Sequence, residues 1–131
     1  MNEELLKQYD HSCNHMTKVD GIRFAGIINT RGRKIAGGFC TKVIPLEKDE
    51  KKMEMLLMET ALDLSMRKEF NNSLGDLRAI VSYREKINII TIPYGDNFIL
   101  LSSEPELHPS KIIEMVKYFL PTNKTLEVPI L

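Results

Sequence analysis

His11, Cys13 and His15 are the residues whose types most directly suggest chemistry, since imidazole and thiolate are the ligands preferred by zinc and related ions. In an extended segment residues two apart would share a side, whereas on a helix the three diverge. A structural zinc site normally takes four ligands, and the one obvious further soft ligand, Cys40, belongs to a separate segment. The pattern is therefore read as polar residues of a fraying helix, with no metal and no cofactor expected. Cys13 and Cys40 form no CxxC pair, so neither a disulfide framework nor a redox motif is indicated.

Anion binding is the second chemistry to weigh. Arg23, Arg31, Arg33, Lys34 and Lys42 make one stretch locally basic, where a phosphate or an acidic partner could sit. With balanced charge and no interleaved aromatics beyond Phe24 and Phe39, a solvated hairpin tip is the favoured reading. Thr30-Arg31-Gly32-Arg33 also lacks the spaced glycines and the Gly-Lys-Ser/Thr ending of a phosphate loop, so nucleotide hydrolysis is not expected. Two further charged clusters are Arg67-Lys68-Glu69 and Tyr83-Arg84-Glu85-Lys86. Solvated element ends explain such clusters, and cations are favourable at a helix C-terminus. Arg31, Arg33, Arg67 and Arg84 are the candidates for a partner surface. No Ser-His-Asp or Cys-His arrangement has supporting spacing, so no enzyme is expected.

Elements must position these residues. A weak helical pattern runs from Glu3 to about His15, and Val19-Asp20-Gly21 ends it. Ile22–Asn29 and Lys34–Cys40 read as a β-hairpin around Thr30-Arg31-Gly32-Arg33, with Gly37 and Gly38 marking a bulge or a close backbone approach. Asp49 to Phe70 contains no Gly or Pro and predicts a long helix. Asn71, Asn72, Ser73 and Gly75 end it. Leu77–Arg84, Ile87–Pro93 and Asn97–Ser103 then form an antiparallel meander, with turns at Glu85-Lys86 and Tyr94-Gly95-Asp96-Asn97. A final helix covers Ser110–Phe119.

The meander strands are apolar on both parities: Ile87 and Ile89 oppose Ile90 and Ile92, while Ile99 and Leu101 oppose Phe98 and Leu100. Such strands need cover on both faces. The long helix can cover one and the two terminal helices the other. The predicted fold is thus α/β of the α+β type, a three-layer sandwich on a five-stranded antiparallel sheet in the order α-β-β-α-β-β-β-α. Residues 1–120 form a single domain and 121–131 a C-terminal tail. The tail ends in Leu126-Glu127-Val128-Pro129-Ile130-Leu131, either disordered or extended along a neighbour.

The long helix carries apolar residues on opposite sides. Met53, Leu56, Leu57, Ala61 and Leu64 form a Leu-rich stripe suited to the sheet. Met55, Met58, Leu62 and Met66, spaced three, four and four apart, have the spacing of a helix-to-helix seam. Two apolar stripes need two partners. Either both are buried within one thick domain, or the second is a dimer contact. Methionine suits an adaptable contact.

Composition bounds the rest. With 131 residues, 43% hydrophobic and 27% charged, the chain fits one globular domain. Eighteen Lys plus Arg balance eighteen Asp plus Glu, so no global field draws it to nucleic acid or anionic membrane. Zero net charge also removes one barrier to self-association. The Met1–Tyr9 segment lacks a signal-peptide pattern and no apolar run reaches the ~20 residues of a membrane span, which leads to the expectation of a cytoplasmic protein.

The element order, with the hairpin Ile22-Arg23-Phe24-Ala25-Gly26-Ile27-Ile28-Asn29 and the Arg31-Gly32-Arg33 turn, resembles the roadblock/LC7 fold, a relative of longin and profilin-like domains. Ile22–Gly38, Met66–Phe70 and Tyr83–Lys86 also resemble a small uncharacterised family of ammonia-oxidising archaea. The roadblock/LC7 resemblance implies homodimers or heterodimers with the long helices packed together, serving as scaffolds or regulators of small GTPases. No catalytic residue carries over. The leading expectation is a non-enzymatic dimerising scaffold or regulatory module with Met55, Met58, Leu62 and Met66 at the contact. One alternative is a ligand-binding sensory domain of profilin-like shape, with a pocket near Tyr83, Tyr94 or Gly37. Another is a small nucleic-acid binder using the hairpin arginines.

Overall fold

The computed structural model describes residues 3–120. Its elements are α1 (Glu3–Met16), β1 (Ile22–Ile28), β2 (Lys34–Phe39), α2 (Glu50–Lys68), α3 (Asn71–Leu74), β3 (Ile80–Tyr83), β4 (Asn88–Tyr94), β5 (Asn97–Ser103) and α4 (Pro109–Phe119). The expected order holds, with the single turn of α3 added. Nothing in Asn71-Asn72-Ser73 favours a helix; that turn closes through bonds from the Leu74 amide to the Phe70 carbonyl and from the Gly75 amide to that of Asn71. The tail segment read from Pro121 onward lies outside the described residues.

The five strands are ordered β2-β1-β5-β4-β3 and every neighbouring pair is antiparallel. β1 and β5 pair through the middle of the sheet, joining the hairpin to the meander. The β4–β5 turn is Gly95-Asp96, where Gly95 takes φ 61°. The β3–β4 turn is Glu85-Lys86, closed by a 3.0 Å bond from the Arg84 amide to the Ile87 carbonyl. β3 is shorter than expected because the Leu77 amide is taken by Asn71 Oδ1 at 3.1 Å, which holds residues 75–79 back towards α3.

Burial on both faces follows the two parities. Ile90, Ile99 and Leu101 join Cys13 and Met16 of α1 and Ile112 and Val116 of α4 in one core. Phe98 and Leu100 join Phe24, Ile28 and Leu64 of α2 in the other, with Ile89, Leu57 and Ala61 packed against it. The three layers are therefore α1 with α4, the sheet, and α2.

The glycine pair in β2 behaves as one close approach rather than a bulge. The register shift lies one step earlier, opposite Ile27 and Ile28, where Ile35 is the extra residue. Gly37 has φ +90°, and a Cβ there would lie 2.2 Å from the Ala25 carbonyl oxygen and 3.0 Å from Cys13 Cβ. Its amide donates to Asp10 Oδ1 at 2.8 Å, so α1 sits tight on the edge strand. Cys13, fully buried beneath this contact, has its thiol pushed up to about 12, first by burial and then by the nearby Asp10 carboxylate.

Two outcomes test this packing. Gly37→Ala should lower stability in urea by about 2 kcal/mol or more, while Gly38→Ala, whose Cβ would meet only Lys34 Nζ at 3.8 Å, should change it little. Iodoacetamide at pH 8 should alkylate half-buried Cys40 in the folded protein and leave Cys13 unmodified until urea unfolds the chain, because a thiol with so high a pKa carries almost no thiolate there.

Candidate interaction surface

α2 begins cleanly because Asp49 Oδ1 accepts from the Lys51 amide at 2.9 Å and the Lys52 amide at 3.4 Å, satisfying two otherwise free donors. Its position over the sheet is fixed by the β1–β2 turn. Asn29 Oδ1 accepts from the Arg31 and Arg33 amides, at 2.9 and 3.0 Å, and Gly32 adopts φ +77°. A Cβ at Gly32 would lie 2.7 Å from Met58 Cα, so turn backbone rests directly on helix backbone.

With Leu57, Ala61 and Leu64 turned to the sheet, the other stripe faces outward. Met55, Met58, Leu62 and Met66 are 57, 59, 62 and 54% exposed. Such a row of large apolar side chains is uncommon on a free surface. The helix also carries Asp63 and Arg67, joined at 3.0 Å. Phe70 and Leu74, four and eight residues beyond Met66, are exposed as well, at 58 and 80%. Both lie past the end of α2 at Lys68, Phe70 just before α3 and Leu74 at its last position, so they extend the exposed apolar row in sequence and not along the same helix.

The basic residues do not form one patch. Arg31 and Arg33 lie in the β1–β2 turn, at the end of the sheet that also carries the β4–β5 turn. Arg84 lies in the β3–β4 turn at the other end and along the opposite edge. Arg67 is tied to Asp63 on α2. Arg23 is structural: it bonds Glu104 Oε1 at 3.0 Å and donates to the Ile44 carbonyl at 2.8 Å. Lys34 Nζ is held by the Gly37 carbonyl at 2.8 Å.

The residues suggested for a ligand pocket are also apart. Tyr83 is 73% exposed on edge strand β3, whereas Tyr94 is buried beneath α1, its ring edge-on to Tyr9 at 5.7 Å. Burial, followed by the neighbouring Tyr9, pushes the Tyr94 hydroxyl up to about 12. Of two open depressions, one adjoins Gly37 through Asp10, which accepts from its amide, and neither is lined by Tyr83 or Tyr94. The first, of about 440 Å³, is lined by Leu6, Lys7, Asp10, His11, Asn14 and Ile35. The other, of about 410 Å³, lies beside the start of α4, near Leu107 and Ile112.

On α1 the three residues first singled out do not all diverge as expected, because residues four apart share a helical face and only Cys13 turns away. Cys13 points into the core, while His11 and His15, one turn apart, meet on the outer side with their Nε2 atoms 3.0 Å apart. Among the described residues no group of three or more His, Cys, Asp or Glu side chains is placed to hold a metal ion. No helix among them is long and apolar enough to cross a membrane.

Solved structures share this architecture at low identity. A roadblock/LC7 domain from Streptomyces avermitilis superposes with a TM-score of 0.66 at 9% identity, covering 84% of this chain and 89% of that one. The gliding protein MglB from Thermus thermophilus gives 0.71 at 12% identity, with 90 and 86% covered. Profilin from Schizosaccharomyces pombe gives 0.61 at 11% identity, with 93 and 99% covered. The fold is therefore roadblock/LC7-like. No curated protein matches by sequence. The sequence family of unknown function DUF6659 matches residues 1–120, nearly the whole chain, and the protein belongs to that family.

Proposed function

We propose that this protein is a non-enzymatic dimerising scaffold or regulatory module whose contact is the outer face of α2. The observation that carries this reading is the exposure of Met55, Met58, Leu62 and Met66 on a helix that is capped, buried on its inner side and anchored by Gly32. In a symmetric pair, both copies would bury the exposed remainder of these four residues. That is worth about 7 to 14 kcal/mol at the usual value per apolar side chain. Association costs about 4 to 15 kcal/mol in lost freedom, so the stripe sustains a dimer best if Phe70 and Leu74 join it.

A second copy is the favoured occupant because the chain has no net charge to oppose self-association, and because methionine adapts to a symmetric seam. A protein partner of the small-GTPase kind is what the roadblock/LC7 resemblance implies for the assembled dimer. Tyr83 and Tyr94 line neither depression, and the hairpin cations Arg23 and Lys34 are held in internal contacts, so neither a pocket at those tyrosines nor the nucleic-acid reading gains support.

Light scattering over a dilution series tests the proposal. The expected mass is near twice 15.1 kDa. Leu62→Glu should give a monomer with unchanged circular dichroism, since Leu62 is 62% exposed in the single chain. A wild-type monomer at all concentrations, or a dimer that survives Leu62→Glu, would overturn the assignment.

A further inference from the structure

We infer that His11 and His15 form a two-ligand surface site for a divalent transition ion on the outer side of α1. The side chains are one helical turn apart, both exposed, and their Nε2 atoms approach to 3.0 Å. At the usual metal–nitrogen distance of about 2.0–2.1 Å, that separation subtends about 95° at a shared ion. Such an angle fits two adjacent positions of an octahedral or square-planar ion, as Ni²⁺ or Cu²⁺ prefers. An opening of about 0.3 Å would suit tetrahedral zinc.

The backbone bearing the pair is already fixed, which lowers the ordering cost of chelation. Met16 and Cys13 are fully buried on the inner side of α1. Asp10 is bonded to the Gly37 amide and Tyr9 packs edge-on against Tyr94. The free pair meets Nε2 to Nε2, so one ring donates a proton where the ion would sit. Binding moves that proton to Nδ1 of the same ring, leaving both Nε2 lone pairs for the metal with no net proton release from the neutral pair. Asn14 and Asp10 line the depression beside His11. Lys7 lines it too, one turn before His11, and its charge limits affinity.

This site lies on the opposite layer from the α2 stripe, so it stands or falls independently of dimerisation. The test is calorimetric titration of the full chain with Ni²⁺ and, separately, Zn²⁺. One saturable ion per chain is expected at micromolar metal. His11→Ala and His15→Ala should each weaken binding about tenfold or more, with the double variant no worse than either single, because one imidazole does not chelate. His108→Ala, which removes the third histidine of the chain, should bind as wild type. Absence of saturable binding up to millimolar metal would overturn the inference. So would unchanged binding in His11→Ala and His15→Ala, or loss of binding in His108→Ala.

Discussion

Large apolar side chains project from both faces of β1, β4 and β5, and neither face can be left in water. Ile90, Ile99 and Leu101 on one side and Phe24, Phe98 and Leu100 on the other each demand a helical layer. Everything else in the fold answers that demand. The strand order brings the hairpin beside β5 so that Phe24 and Ile28 extend the α2-side core while Ala25 and Ile27 extend the other.

The two layers answer it unequally. The core under α1 and α4 has thirteen buried members, whereas the core under α2 has five, of which α2 supplies only Leu64. A helix that buries so little of itself, yet carries apolar residues on its far side, is a layer with one face still open. Its placement relies on backbone contact at Gly32 and Met58 as much as on side-chain burial, so the turn that reads as a basic tip is above all a support for the helix.

Two buried or half-buried polar side chains hold loops together. Arg23 binds the loop after β2 through the Ile44 carbonyl and the end of β5 through Glu104. Asn88, buried at the start of β4, donates to the Leu107 and Pro105 carbonyls and fixes the approach to α4. Such partners are distant in sequence, which is why the structural role of Arg23 could not be read from the local cluster of cations in the hairpin.

The sequence by itself determined the elements and their layering, because both rest on local periodicity: Ile and Leu on both parities of β4 and β5, and two opposed stripes on a helix without Gly or Pro from Asp49 to Phe70. It also separated the sheet-facing stripe from the outer one, since Leu57, Ala61 and Leu64 differ in character from the methionine row. Only the tertiary structure decided what depends on approach between distant backbones. Gly37 is required by the Ala25 carbonyl and by α1, Gly32 by α2, and the extra residue of β2 is Ile35. That His11 and His15 share a face follows from their spacing of four once the segment is a helix, whereas the burial of Cys13 was decided by the packing of α1 on the sheet.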